Sequence, residues 1–198
     1  MKNRLLKAKH WQLFLLTFAI PLILQVTTII SIFSNIATET HPDPEKLFNY
    51  MKIFPVIMVL FTSVLFSWHW SVAIGLQSKV PINVTMKTRK FKIFFFIPLI
   101  YIALLIIFFS VSADDFFTLN EHQSLGLIVG LFFVIFPLHL FSVFCMFYTL
   151  YFVAKVFKTV ELQREVKFTD FAGEFFMIWF YPFGIWILQP KINRMIEQ

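Results

Sequence analysis

The sequence predicts an all-α membrane protein: four transmembrane helices with both termini cytoplasmic, followed by an amphipathic C-terminal segment at the inner interface. Three observations lead there. Apolar residues make up 59 % of the 198 residues and charged residues only 14 %, against ~45–50 % and ~25 % in soluble domains. Four stretches reach the roughly 20 apolar residues that cross a ~30 Å hydrocarbon core. All of the 17 Lys and Arg except Lys46 and Lys52 fall on one side of those stretches, as the positive-inside rule describes. The same composition excludes disorder, which needs low hydrophobicity and high charge. The net charge of +6 therefore reads as membrane orientation and not as nucleic-acid binding. The outer loops are too short to fold alone, so residues 1–198 are expected to form a single integral membrane domain.

The first span runs from about Trp11 to Ala37 with no charge inside it. Its basic start, Lys2, Arg4, Lys7 and Lys9, fits a signal peptide, but the apolar stretch far exceeds the ~7–15 residues of an h-region. An uncleaved signal anchor is the expectation. The second span covers about Ile53 to Leu76, interrupted only by His69; the third, about Ile93 to Ala113; the fourth, about Gly126 to Ala154, with His139 inside. Lys79, Lys87, Arg89, Lys90 and Lys92 join spans two and three without an acid, and Lys155, Lys158, Arg164 and Lys167 follow span four. The other two loops hold Glu39, Asp43, Glu45, Asp114, Asp115 and Glu121. Every loop thus agrees on N-in, C-in. Trp11, Trp68, Trp70, Trp179 and Trp186 all fall on the inner side, where indole rings anchor at headgroup level.

Pro21, Pro98 and Pro137 lie within spans and are expected to kink them unless neighbours repair the backbone. Gln25, Thr27, Thr28 and Ser31 on span one, and Ser142, Tyr148 and Thr149 on span four, are candidates for interhelical hydrogen bonds.

Beyond span four, Glu161 to Lys167 reads as a mixed-charge helix. Phe175 to Leu188 then offers 14 apolar residues, about 21 Å of helix, too short to cross. Pro182 and Gly184 interrupt it, and Tyr181 before a proline is biased away from helix. Residues 168–196 therefore lie along the inner interface in two short pieces, or dip in as a re-entrant turn at Tyr181-Pro182-Phe183-Gly184. Phe168, Phe171, Ala172, Phe175, Phe176 and Trp179 form one apolar helical face, with Asp170 and Glu174 on another. The run Trp179-Phe180-Tyr181-Pro182-Phe183-Gly184-Ile185-Trp186-Ile187-Leu188-Gln189-Pro190-Lys191-Ile192-Asn193 resembles a C-terminal signature of small bacterial inner-membrane proteins whose function is uncharacterised. Lys9-His10-Trp11-Gln12-Leu13-Phe14 is similar to their starts. The resemblance implies a bacterial inner membrane and carries over no activity.

Chemical motifs are absent from the sequence. It has no Gly-rich phosphate loop, no His-Glu-x-x-His pair, no Cys-x-x-Cys and no nucleophile elbow. Cys145 stands alone, so no disulfide or Cys-based metal site forms within one chain. No carboxylate lies inside a span to relay protons. With 29 Phe against 5 Gly, the spans lack the small residues of close-packed transporter bundles. Gly126 and Gly130 form the one Gly-x-x-x-Gly pair, a candidate helix-packing face.

Two intramembrane histidines remain. Counted from the outer side, His69 lies 16 residues into span two and His139 13 into span four, a depth difference of about 4.5 Å. Two imidazoles at one depth are candidates for axial haem ligation. The competing readings are a His69 bound to headgroups or water, and a His139 that serves the carbonyl freed by Pro137.

The expected function is that of a non-catalytic accessory or scaffold subunit, with no catalytic and no metal-binding residue. Its expected partners are anionic headgroups at the cytoplasmic face and another membrane protein or a second copy of itself. Gly126, Gly130, Trp179, Pro182, Gly184 and Trp186 are the candidate interface residues. The alternatives are a haem redox protein using His69 and His139, and a small-solute transporter.

Overall fold

The computed structural model describes residues 5–38, 50, 52–116 and 121–197. Helix is the only regular structure among them. Four segments are long and apolar enough to cross a membrane: His10–Ala37, Ile53–Lys79, Thr88–Phe108 and Phe132–Leu162. These overlap the four expected spans; among the described residues the third starts and ends five residues earlier than expected, and the fourth starts six later and ends eight later. Lys2, Arg4, Glu39, Asp43, Glu45 and Lys46 lie outside the described residues, as do the side chains of Asp114, Asp115 and Glu121.

The chain falls into two compact units, Met1–Thr85 with Val153–Gln198, and Met86–Phe152. In the first unit, α1 (His10–Phe14) passes through a π-helical stretch, Leu15–Ala19, into α2 (Ile20–Thr38). Proline explains the stretch. Pro21 has no N–H for the carbonyl four residues back, and the ladder widens just ahead of it, where the Ile20 N–H bonds Leu15 five residues back. The kink expected at Pro21 is thus taken up as a π turn. Along α2, Ile23, Ile30 and Phe33 are exposed while Thr28 and Asn35 are buried, so the outward face is the apolar one, as lipid requires.

Three hydroxyls on this helix bond within it. Thr27 and Thr28 bond carbonyls of Ile23 and Leu24, and Ser31 that of Thr27; Thr149 does the same with Cys145 in the second unit. For these hydroxyls a carbonyl one turn back lies within reach and is taken in preference to a distant partner.

Helix α3 (Ile53–Gly75) ends in a 3-10 turn, Leu76–Lys79. It brings Trp68, Val72 and Ala73 into a core with Leu6, Leu13, Phe171, Ile185 and Leu188. Trp68 is the exception among the interface tryptophans: it is 1 % exposed and sits inside the protein.

The second unit contains α4 (Thr88–Phe116) and the part of α5 (Glu121–Leu162) up to Phe152. Pro98 and Pro137 stand inside these helices without ending them. Phe91 stacks on Phe152 at 4.6 Å. Lys90 lies over the rings of Phe94 and Tyr148, at 5.3 and 5.0 Å. A cation is disfavoured in the first turn of a helix, and the aromatic faces offset that cost.

The last part of α5 returns to the first unit and stops at Leu162, five residues short of the helix expected through Lys167. Gln163 takes the left-handed conformation, φ 50°, and its amide donates to the carbonyl of Val160, an orphan of the last turn. Two helices follow, α6 (Phe168–Trp179) and α7 (Tyr181–Glu197). Phe180 divides them. Its N–H closes α6 on Phe176, and its carbonyl accepts from Phe183 and Gly184 to open α7. Pro182 falls in the first turn of α7, where its missing N–H costs nothing. The break expected near Tyr181 is present one residue earlier, and Tyr181 itself is helical. Neither helix is among the four long enough to span.

Candidate functional site

Two buried polar groups of the first unit, Gln189 and Glu174, lie on the α6–α7 pair. Gln189 on α7 is wholly buried. Its Oε1 accepts the indole N–H of Trp68 at 2.8 Å. Its Nε2 faces the carbonyls of Leu6 at 2.8 Å, Ala8 at 3.0 Å and Leu5 at 3.3 Å, and Oδ1 of Asn193 at 3.0 Å. Two amide hydrogens serve these four acceptors, so the shorter contacts hold them most of the time. Asn193 also donates to Ala8. One glutamine thus joins the N-terminal turn, α3 and α7.

A second cluster ties α6 and α7 to the end of α5. Lys158 donates to Glu161 at 2.7 Å and to Glu174 at 2.8 Å, and Lys191 to Glu161 at 3.0 Å. Two cations and two carboxylates balance, which offsets part of the cost of burying Glu174. Glu174 is therefore buried against α5, and not on a polar face shared with Asp170 as expected. Gly184 closes the α6–α7 corner: a Cβ there would run into the Met177 carbonyl, 2.5 Å from its carbon.

These groups hold the pair in place and leave its outer side aromatic. Phe176, Trp179, Phe180, Phe183, Trp186 and Ile187 are all exposed, Phe183 at 76 %. Phe176 stacks on Trp179 at 6.1 Å, and Trp179 on Phe180 at 6.0 Å. Trp186 packs against His10 and Phe14, which ties it to α1. Among the expected interface residues, Trp179 and Trp186 lie on this face, Pro182 is half-buried, and Gly184 is buried in the turn. Gly126 and Gly130, in the second unit, are exposed, and a Cβ at either meets no described atom within 4 Å.

The two histidines differ. His69 is 1 % exposed, enclosed by Phe66, Trp68 and Tyr181. Its Nδ1 bonds the carbonyl of Leu65 at 2.8 Å, which puts the proton there and leaves Nε2 an acceptor without a partner. It touches protein on every side, not headgroups, and a macrocycle reaches that nitrogen only if the surrounding rings part. The Tyr181 hydroxyl, also buried, has the Thr17 hydroxyl near it but no well-aligned hydrogen bond. Burial pushes this phenol above its usual value against an opposing effect of the Thr17 hydroxyl, so it stays neutral at any physiological pH. His139, in the second unit, is exposed, and its Nδ1 meets the Tyr101 hydroxyl at 3.2 Å. Among the described residues, no group of three His, Cys, Asp or Glu is placed to hold a metal.

Sequence reasoning missed Gln189, Asn193 and Glu174 as organising residues. For Gln189 the available signal was an amide one turn after Trp186 that closes the apolar run Phe183–Leu188, since buried amides need specific partners; Asn193 and Glu174 carried none. No family model, no curated protein and no solved structure matches the chain.

Proposed function

We propose that this chain is a non-catalytic accessory subunit of the bacterial inner membrane, with both termini cytoplasmic, that docks another membrane protein on the outer face of α6 and α7. One observation carries the reading: an aromatic surface from Phe176 to Ile187 is held in fixed shape by buried polar groups beneath it. Gln189 and the Lys158–Glu161–Glu174–Lys191 cluster fasten the pair to the N-terminal turn, α3 and α5. A helix pair that only coats a lipid surface needs an apolar side and no such fastening. Rigid aromatic side chains lose little conformational freedom on association, which is why they dominate protein interfaces.

The test is site-specific photo-crosslinking in native membranes, with a benzophenone amino acid at Phe183 and, as a control, at Ile23 on the outward face of α2. A discrete adduct to a second polypeptide from Phe183, absent from Ile23, is the expected result. Adducts to lipid alone from both positions would overturn the docking reading.

A further inference from the structure

An open recess of about 620 Å³ in the first unit is lined by Lys79, Glu161, Gln163, Lys191, Arg194 and Met195. Its charge is not balanced. Both oxygens of Glu161 are occupied, by Lys158 and Lys191, and Lys158 also neutralises Glu174. That cluster sums to zero. Lys79 and Arg194 remain, and neither has an anionic partner among the described residues.

Helix C-termini oppose an anion with about half a charge each. Two end here, and the Gln163 amide already covers the carbonyls of Val160 and Lys79. Two full cations outweigh what is left. Depth adds the second constraint. Lys79 is the last residue of one candidate span, Ile53–Lys79, and Glu161 the last but one of another, Phe132–Leu162. Both candidate spans are longer than the roughly 20 residues that cross the hydrocarbon, so a recess at their charged ends falls on the headgroup side, where phosphate is the abundant anion.

We propose that this recess binds one phosphoryl group between Lys79 and Arg194, carried by the headgroup of an anionic phospholipid. The planar guanidinium of Arg194 suits two phosphate oxygens at once, and the ammonium of Lys79 supplies a point charge. Leu162, exposed between two lining residues, offers an apolar edge beside the site for the acyl chain. The proposal does not depend on a docking partner.

Native mass spectrometry of the purified full chain tests it, with phosphatidylglycerol and phosphatidylcholine titrated separately. The wild type retains one phosphatidylglycerol in preference to phosphatidylcholine. The double variant Lys79→Gln, Arg194→Gln weakens that binding about thirtyfold, from two cations near an anionic group. Lys79→Arg with Arg194→Lys preserves it, and Lys87→Gln with Arg89→Gln, remote in sequence, leaves it unchanged. Arg194→Gln alone, an exposed substitution, gives about a fivefold loss and serves if the double variant is not monodisperse. Inorganic phosphate that binds with the same dependence and displaces the lipid keeps the phosphoryl site and changes its source. Equal retention of the two lipids, or wild-type affinity in monodisperse charge-removed variants, overturns the proposal.

Discussion

At Gln189 a single amide satisfies groups from three parts of the chain, and its loss is felt at each. In Gln189→Leu the buried indole N–H of Trp68 and the carbonyl of Leu6 both lose their partner. An orphaned buried polar group costs about 1–3 kcal/mol, so thermal unfolding in detergent should show a loss of about 3 kcal/mol. Trp68 reports the same change through its own fluorescence, and an unaltered midpoint would show that the hydrogen bonds are dispensable. The glycines separate by a similar argument. Gly184→Ala forces a methyl onto the Met177 carbonyl and should destabilise by about 1–3 kcal/mol. Gly126→Ala meets open space, so stability of the isolated chain should move by less than about 0.5 kcal/mol. Equal effects from the two substitutions would contradict the geometry around Gly184. None of this was legible residue by residue. Gln189 was visible in sequence as one member of a C-terminal run, but its partners at Leu5, Leu6, Ala8 and Trp68 are more than a hundred residues away. Pairings at that separation leave no periodic trace.

Helix α6 shows how an element can be legible in its face and illegible in its fastening. The spacing of Phe168, Phe171, Phe175 and Trp179 announced an amphipathic helix, and Pro182 announced a break. The spacing also set Asp170 and Glu174 together on the polar side, yet only Asp170 remains there. Glu174 turns inward because Lys158 of α5 comes to meet it, and no local pattern encodes that meeting. Glu174→Gln leaves Lys158 without one of its two carboxylates and should cost roughly 2–3 kcal/mol, less than for a fully buried pair because Lys158 is partly exposed. Replacing both residues by Met should recover part of the loss in a double-mutant cycle. Additive losses would mean that the two side chains do not interact. The start of α6 carries a pH dependence of its own. The Lys167 N–H bonds Asp170 at 2.8 Å and the Arg164 guanidinium pairs with it, and these hold its carboxyl below the usual carboxylate range. A folded value depressed below the unfolded one, ~3.9, stabilises above that unfolded value, and the gain is lost as pH falls through the folded one. Amide exchange in the first turn of α6 should therefore quicken, once corrected for intrinsic rates, as the medium is acidified below about pH 4. Asp170→Asn should abolish that response, and persistence of the response in the variant would assign it to another group.

For the whole molecule, hydropathy summed over some twenty residues was enough to find all four spans, because crossing hydrocarbon is an average property of a segment. Assignment of individual tryptophans was not an average property, and there the sequence misled. Trp68 lies near a span end like the others, yet it is enclosed by the core while Trp179 and Trp186 face outward. Orientation belongs to the first kind of property, since it rests on the sum of Lys and Arg over whole loops. Fifteen of the 17 basic residues fall in the termini and loops expected to be cytoplasmic, so the proposed orientation does not rest on a single loop. Cysteine labelling makes the argument testable, because the chain has one native Cys, Cys145, and it is buried. In a Cys145→Ala background, a cysteine placed at Glu45 should react with a membrane-impermeant maleimide in intact cells. Cysteines placed at Arg89 and at Glu197 should react only after the membrane is opened. The opposite pattern at all three positions would mean that the charge bias does not govern insertion of this chain. Reaction at Glu197 alone in intact cells would mean that α6 and α7 together carry the C-terminus across the bilayer, and the docking face would then have to be sought on the outer side.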